Sequence, residues 1–184
     1  MGFLILLGVL LVLGIWIVSM YNGLVKLRNQ VKNAWAQIDV QLKRRHDLIP
    51  NLVETARGYM KHERETFESI TKARSQAVEA NTVAEKSKAE GQLNQALSRF
   101  MLVVENYPDL KANQNFLALQ EELTSTENKV SFARQFYNDQ VLQFNTRIES
   151  VPTNIIAGMF GFKQSEFFEI EIAGERDVPK VKFA

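Results

Sequence analysis

Residues 3–42 read FLILLGVLLVLGIWIVSMYNGLVKLRNQVKNAWAQIDVQL, and the two halves of this stretch carry different patterns. The first, Phe3 to Met20, is eighteen positions without a charge. As a helix rising about 1.5 Å per residue it reaches roughly 27 Å, close to the hydrocarbon thickness of a bilayer. Its Leu, Ile and Val residues each favour insertion by about 0.3–0.6 kcal/mol, several kcal/mol in sum. It is apolar all round rather than on one stripe, which argues against the core helix of a small domain. No Lys or Arg precedes it and no small-x-small cleavage site follows, so it reads as an uncleaved anchor rather than a signal peptide. Phe3, Leu7, Leu11, Trp16 and Tyr21 represent that anchor, with the two amphipathic rings toward one end.

In the second half, Leu24, Leu27, Val31, Trp35, Ile38 and Leu42 recur at gaps of three and four. That is one apolar stripe on a helix, and only Gly23 separates it from the span, so the two are expected to run together. Lys26, Arg28 and Lys32 stand close behind the span, with Lys43, Arg44 and Arg45 further on. The positive-inside rule then predicts the N-terminus outside and the body in the cytoplasm.

Further stripes follow. Pro50 is tolerated in a first helical turn and poorly in an interior, which predicts a break or kink between Arg45 and Pro50. A second helix carries Ile49, Leu52, Val53, Ala56, Tyr59, Met60, Phe67, Ile70 and Ala77, with Glu63 interrupting its apolar face. Residues 79–91, EANTVAEKSKAEG, read as a loop or an exposed helical extension. Leu93, Leu97, Phe100, Val104 and Tyr107 form a third stripe that ends in the turn Asn106-Tyr107-Pro108-Asp109. The longest pattern, from Phe116 to Ile148, crosses the low-propensity run Thr124 to Glu127 and is read as one helix ending before Val151-Pro152.

These stripes predict an all-α fold: an N-terminal transmembrane helix continuing into an antiparallel long-helix bundle, with a short extended C-terminal tail. The expected divisions are an anchor over 1–22, a bundle over 23–152 and a partly extended tail over 153–184. In the tail, residues 155–162 are apolar without helical spacing, and Phe167-Phe168-Glu169-Ile170-Glu171-Ile172 alternates at its end. Phe167, Phe168, Ile170 and Ile172 are therefore candidates for docking, either on a neighbour or back on the same bundle.

Composition narrows the chemistry. The 184 residues hold 22 Lys plus Arg against 21 Asp plus Glu, a formal charge of +1 that supplies no field for nucleic acid. Zero cysteines exclude thiol catalysis, disulfides and Cys-ligated metals. His46 and His62 are the sole imidazoles, and neither stands in a zincin or Glu-x-x-His arrangement. Both are expected to be solvated surface histidines, and Glu63, Glu65 and Glu68 a solvated face. No phosphate-binding, dinucleotide or nucleophile-elbow motif is present, so no catalytic, cofactor or metal residue is assigned and no enzyme activity is expected. Lys43-Arg44-Arg45 lies roughly 30 Å or more beyond the span on a straight helix, past the Debye length of about 8 Å, which favours a structural or oligomer contact over lipid.

Longer motifs carry a resemblance. Tyr21-Asn22-Gly23-Leu24-Val25, the run Asn33 to Arg45, and Asp47-Leu48-Ile49-Pro50-Asn51-Leu52-Val53-Glu54 resemble the LemA family. So do Tyr107-Pro108-Asp109-Leu110-Lys111-Ala112, Leu119-Gln120-Glu121-Glu122-Leu123, Thr126-Glu127-Asn128 and Tyr137-Asn138. The resemblance implies a bacterial single-pass membrane protein with a helical bundle and no established enzymatic activity, linked loosely to envelope stress and membrane-protein quality control. It supplies no catalytic residues. Within these motifs Arg44, Arg45, Asn51, Glu54, Gln120, Glu121 and Asn128 are polar without an obvious local reason, and are candidates for polar links within or between bundles. The expected partners are the lipid bilayer, further copies of the chain and a membrane-protein partner, with no nucleic acid. The expected function is a non-catalytic membrane scaffold that self-assembles; the alternative is an adaptor subunit of a membrane protease or transporter complex.

Overall fold

The computed structural model describes residues 1–169. Among them the secondary structure is helical throughout: α1 (Gly2–Arg57), α2 (Arg64–Glu79), α3 (Val83–Val104), α4 (Pro108–Lys111), α5 (Gln114–Glu149) and α6 (Thr153–Met159). The all-α architecture with a long apolar N-terminal helix is the one the stripes predict. An 18-residue window of α1 has a mean hydropathy of 2.8 and is 6% buried, so the helix is long and apolar enough to cross a membrane.

The expected break between Arg45 and Pro50 is not there: α1 passes through Pro50 and ends at Arg57. Proline removes the N–H that would bond the carbonyl four residues back, here that of His46. Arg74 of α2 supplies the missing donor, its Nε lying 2.7 Å from the His46 carbonyl oxygen. A tertiary contact thus repairs the defect that local rules treat as a stop. The chain turns later, over residues 58–63, so the second expected helix is divided between the end of α1 and α2.

Residues 79–91 also resolve. The connection is confined to residues 80–82, after which Thr82 caps α3 in a reciprocal box: its hydroxyl accepts from the Glu85 amide, and the Glu85 carboxylate accepts from the Thr82 amide. The Thr82 amide, the Asn81 amide and then the Thr82 hydroxyl hold the Glu85 carboxyl below the usual carboxylate range. Pro108 opens the short α4 inside the expected turn, so Pro108 and Asp109 are its first helical residues, and α5 runs unbroken through Thr124 to Glu127, with Thr126 fully buried.

The described chain divides into two compact units. In the first, residues 1–40 and 130–167, α1 and α5 run antiparallel: Trp35 meets Tyr137 with ring centroids 5.3 Å apart, while Phe162 bridges Phe144 and Arg28. The expectation that residues 155–159 lack helix is corrected by α6. Thr153, Ile156 and Ala157 bury one of its faces. Its end is a six-to-one closure: the Phe162 amide donates to the Ala157 carbonyl at 2.9 Å, and Gly161 takes φ +68°. Only glycine adopts that conformation without strain, and the small residue after Phe160 was the available signal for a helix end. Residues 162–169 form neither helix nor strand. The Tyr137 hydroxyl donates to the Glu166 carbonyl at 2.8 Å, and the Asn145 side chain exchanges two 2.9 Å bonds with the Ser165 backbone.

The second described unit, 41–129 with Phe168 and Glu169, closes on an aliphatic and aromatic core. Ile49, Leu52, Ile70, Leu93, Phe100 and Phe116 all fall at or near zero exposure.

Candidate functional site

The second unit encloses a polar cluster inside that core. The α1 stripe continues from Ile38 and Leu42 to Ile49, and the residues in phase between them are Arg45 and His46. The α3 stripe, read backward from Leu97 and Leu93, places Glu90 at its next inward position. Both helices therefore bring charge-bearing side chains to core positions facing one another. Arg45 is 2% exposed, Glu90 1% and His46 7%.

Glu90 uses both carboxylate oxygens. Oε1 lies 2.6 Å from His46 Nε2, and Oε2 accepts from Arg45 Nη1 at 3.2 Å. Arg45 Nη2 donates to the Asn94 side-chain oxygen one turn further along α3. The Arg74 bond to the His46 carbonyl lies immediately behind this group, so α1, α2 and α3 are tied at one level. Buried charges are tolerated when paired and hydrogen-bonded, which this geometry provides. Arg45 Nε has no hydrogen-bond partner among the described residues. An open groove of about 500 Å³ between α3 and α5 borders Arg45 and Asn94; Leu97, Met101 and Leu123 wall it and Gln120 stands on its rim.

The expectation of a solvated His46 is thus corrected: its imidazole is buried against a carboxylate, because the stripe runs through Pro50 instead of stopping before it. His62 is exposed, as are Glu65 and Glu68, while Glu63 accepts a 2.9 Å bond from the Tyr107 hydroxyl. That bond pushes the Tyr107 phenol above its ordinary value. Glu90, the centre of the cluster, was not singled out in the sequence; its phase with Leu93 and Leu97 was the available signal.

The other candidate residues scatter. Arg44 pairs with Glu122 on the surface, where such pairs are worth about 0–1 kcal/mol. Asn51, Glu54, Glu121 and Asn128 are exposed, Glu54 lying 3.8 Å from Arg57. Phe168 is fully buried and Phe167 is 41% exposed; Ile170 and Ile172 lie outside the described residues. Phe3, Leu7, Leu11 and Trp16 are exposed along α1, whereas Tyr21 is half-buried under Phe160 and Phe162, with centroids at 4.8 and 5.8 Å. Among the described residues no three His, Asp or Glu side chains are grouped to hold a metal ion. With both oxygens of Glu90 committed, the cluster acts as a clamp between helices.

Comparison with known proteins bears on this arrangement. The LemA family model matches residues 34–183, from the first stripe to the tail. The chain belongs to the LemA family. It is 24% identical over 184 residues to magnetosome protein MamQ 2 of Paramagnetospirillum magneticum, covering 86% of this chain and 68% of that protein. It is 23% identical over 184 residues to magnetosome protein MamQ of Magnetospirillum gryphiswaldense, with the same coverage. Protein LemA of Metamycoplasma hominis is 28% identical over 139 residues, 74% of this chain and 63% of that protein. The family match takes in Arg45, His46, Glu90, Asn94 and Arg74.

Proposed function

We propose that this LemA-family protein is a non-catalytic scaffold, anchored in the bacterial cytoplasmic membrane by the start of α1, that self-assembles into a homo-oligomer in envelope stress or membrane organisation. The bare apolar surface of residues 3–18 supports the anchor, since side chains left 39–76% exposed in water belong in lipid. Lys26, Arg28 and Lys32 favour a cytoplasmic body. The observation that carries self-assembly is the pair Phe132 and Phe136, one turn apart on α5 and 73% and 45% exposed. Two large rings displayed on a helix outside the apolar run form the kind of patch that marks an interaction surface. The Glu90 carboxylate, with both oxygens engaged by Arg45 and His46, supports a structural rather than catalytic body.

The test uses the absence of cysteine in the chain. Gln135→Cys, exposed beside the two rings and leaving both in place, creates the one thiol in the chain, and oxidative crosslinking in membranes should yield covalent dimers, with a mass above monomer in mild detergent. A monomer at every concentration and no crosslink overturn self-assembly. The adaptor reading then takes its place, favoured by the α3–α5 groove, whose apolar walls and polar rim suit a partner helix.

A further inference from the structure

The membrane-proximal end of the first unit carries a second apolar surface. Burial on α1 begins abruptly: residues 1–19 are all exposed, and Met20 is 7% exposed. The neighbouring Tyr21 ring packs on Phe160 and Phe162, which places α6 at the level where the apolar run ends. One face of α6 is spent on the unit. Its other face presents Ile155 at 61% and Met159 at 73% exposure, one turn apart, flanked by Val151 at 80% and Phe160 at 54%. The sequence from Ser150 to Phe162 holds no charge. Charge resumes at once behind it: Arg147 and Lys163 bracket the segment, Arg28 stacks over Phe162 at 5.2 Å, and the Glu149 carboxylate is engaged by the Gln164 amide.

We infer that α6 and its flanking turn form an interfacial foot, with Val151, Ile155, Met159 and Phe160 seated in the lipid headgroup and upper acyl region beside the point where α1 enters the bilayer. The occupant follows from continuity. Met20 closes the apolar run, and Tyr21 is one residue, about 1.5 Å, beyond it. A side chain in ring contact with Tyr21 lies at the depth where aromatic belts form. An apolar patch held there meets lipid, into which interfacial segments sink by about 5–10 Å. The cations behind the patch then stand at headgroup level, where their long stems reach phosphates. The foot fixes the tilt and rotation of the body on the membrane, which a single spanning helix leaves free.

This inference rests on α1 being a membrane anchor, and the experiment separates the two. Single cysteines replace Met159, Leu11 and Ser131 in the otherwise cysteine-free chain, each labelled with an environment-sensitive fluorophore. The proteins are reconstituted in vesicles of phosphatidylcholine and phosphatidylglycerol with and without lipids brominated near the headgroup end of the acyl chain. Met159→Cys is expected to be quenched several-fold more than Ser131→Cys, at the opposite end of the first unit, and to resist a water-soluble quencher. Quenching at Leu11→Cys with none at Met159→Cys overturns the foot and leaves the anchor standing. No quenching at either overturns both. Disulfide-linked dimers of unlabelled Met159→Cys, with no lipid quenching, also overturn the foot, because a second copy then covers the patch.

Discussion

The cluster around Glu90 and the cluster around Tyr21 solve the same problem, holding a long helix against its neighbours, with opposite materials. Around Glu90 a carboxylate, a guanidinium and an imidazole are sealed among aliphatic side chains, and every strong contact is directional. Around Tyr21 the contacts are aromatic rings, a tail pinned by backbone carbonyls and a segment with no charge from residue 150 to 162. The first arrangement is intolerant of losing one partner, because each member is desolvated and depends on the rest. The second tolerates single losses, because ring packing and amide bonds each contribute about 1 kcal/mol and are spread along the tail. A specific lock and an adaptable, lipid-compatible end suit an anchored scaffold.

Breaking the lock should have the largest effect. Glu90→Ala strands Arg45 in the core and is expected to cost about 3–5 kcal/mol, the range for an orphaned buried charge. For a chain of this size that lowers the thermal midpoint by roughly 10 °C, followed by circular dichroism in detergent. A double change, Arg45→Met with Glu90→Met, should recover most of the loss; a double as unstable as Glu90→Ala would show that the cluster is not an ionic lock.

The repair at Pro50 is the next test. Arg74→Met should destabilise the protein by about 1–2 kcal/mol, since it removes a charge-assisted bond to a partly buried carbonyl. In a Pro50→Ala background the restored amide can serve the His46 carbonyl, so the same change should cost much less. A double-mutant cycle reads the difference as a coupling of about 0.5–3 kcal/mol. Equal effects in both backgrounds would mean that Arg74 does not compensate for the proline.

In the first unit, Tyr137→Phe keeps the tilted ring contact with Trp35 and loses the bond to the Glu166 carbonyl, for about 1 kcal/mol. The released tail should be cut faster by trypsin after Lys163. Burial, and then the charge of Glu166, push the Tyr137 phenol above its ordinary value. The protonated phenol therefore stabilises the fold below pH 10, and that contribution is lost as the pH rises through the raised value. The phenylalanine variant should lack this part of the alkaline decline.

What could be read in the sequence follows a similar division. Apolar periodicity survives translation into structure, so the membrane-length segment, the stripes and the uninterrupted α5 were all legible before any coordinates. Two local rules misled. Pro50 signalled a break because its compensating donor, Arg74, comes from another helix, which no local window contains. His46 was assigned to solvent on composition alone, and the stripe that continues through Pro50 buries it. Glu90 was hidden for a related reason: a carboxylate at an apolar phase looks like the exposed end of a polar stretch until its partners are known. The helix α6 was legible in part through Gly161, but seven residues are too few to show a period.

The smallest effect belongs to the α2–α3 connection, where local rules are sufficient and no partner from elsewhere is needed. Thr82→Ala removes the cap from the first turn of α3 and is expected to cost about 1 kcal/mol. The Thr82 and Asn81 amides, and then the Thr82 hydroxyl, hold the Glu85 carboxyl below its ordinary value. Its contribution is accordingly present above the unfolded-state value of 4.5 and disappears as the pH falls through the lower folded-state value. Losing the hydroxyl removes the smallest of these three contributions and leaves both amides, so the folded-state value should return part of the way toward the ordinary one. The difference in midpoint between wild type and Thr82→Ala should then be largest near neutrality and narrow under acid, measured by melts from pH 7 to pH 3. A difference that stays constant across that range would assign the loss to the hydroxyl bond alone, and the carboxylate would have no part in the cap.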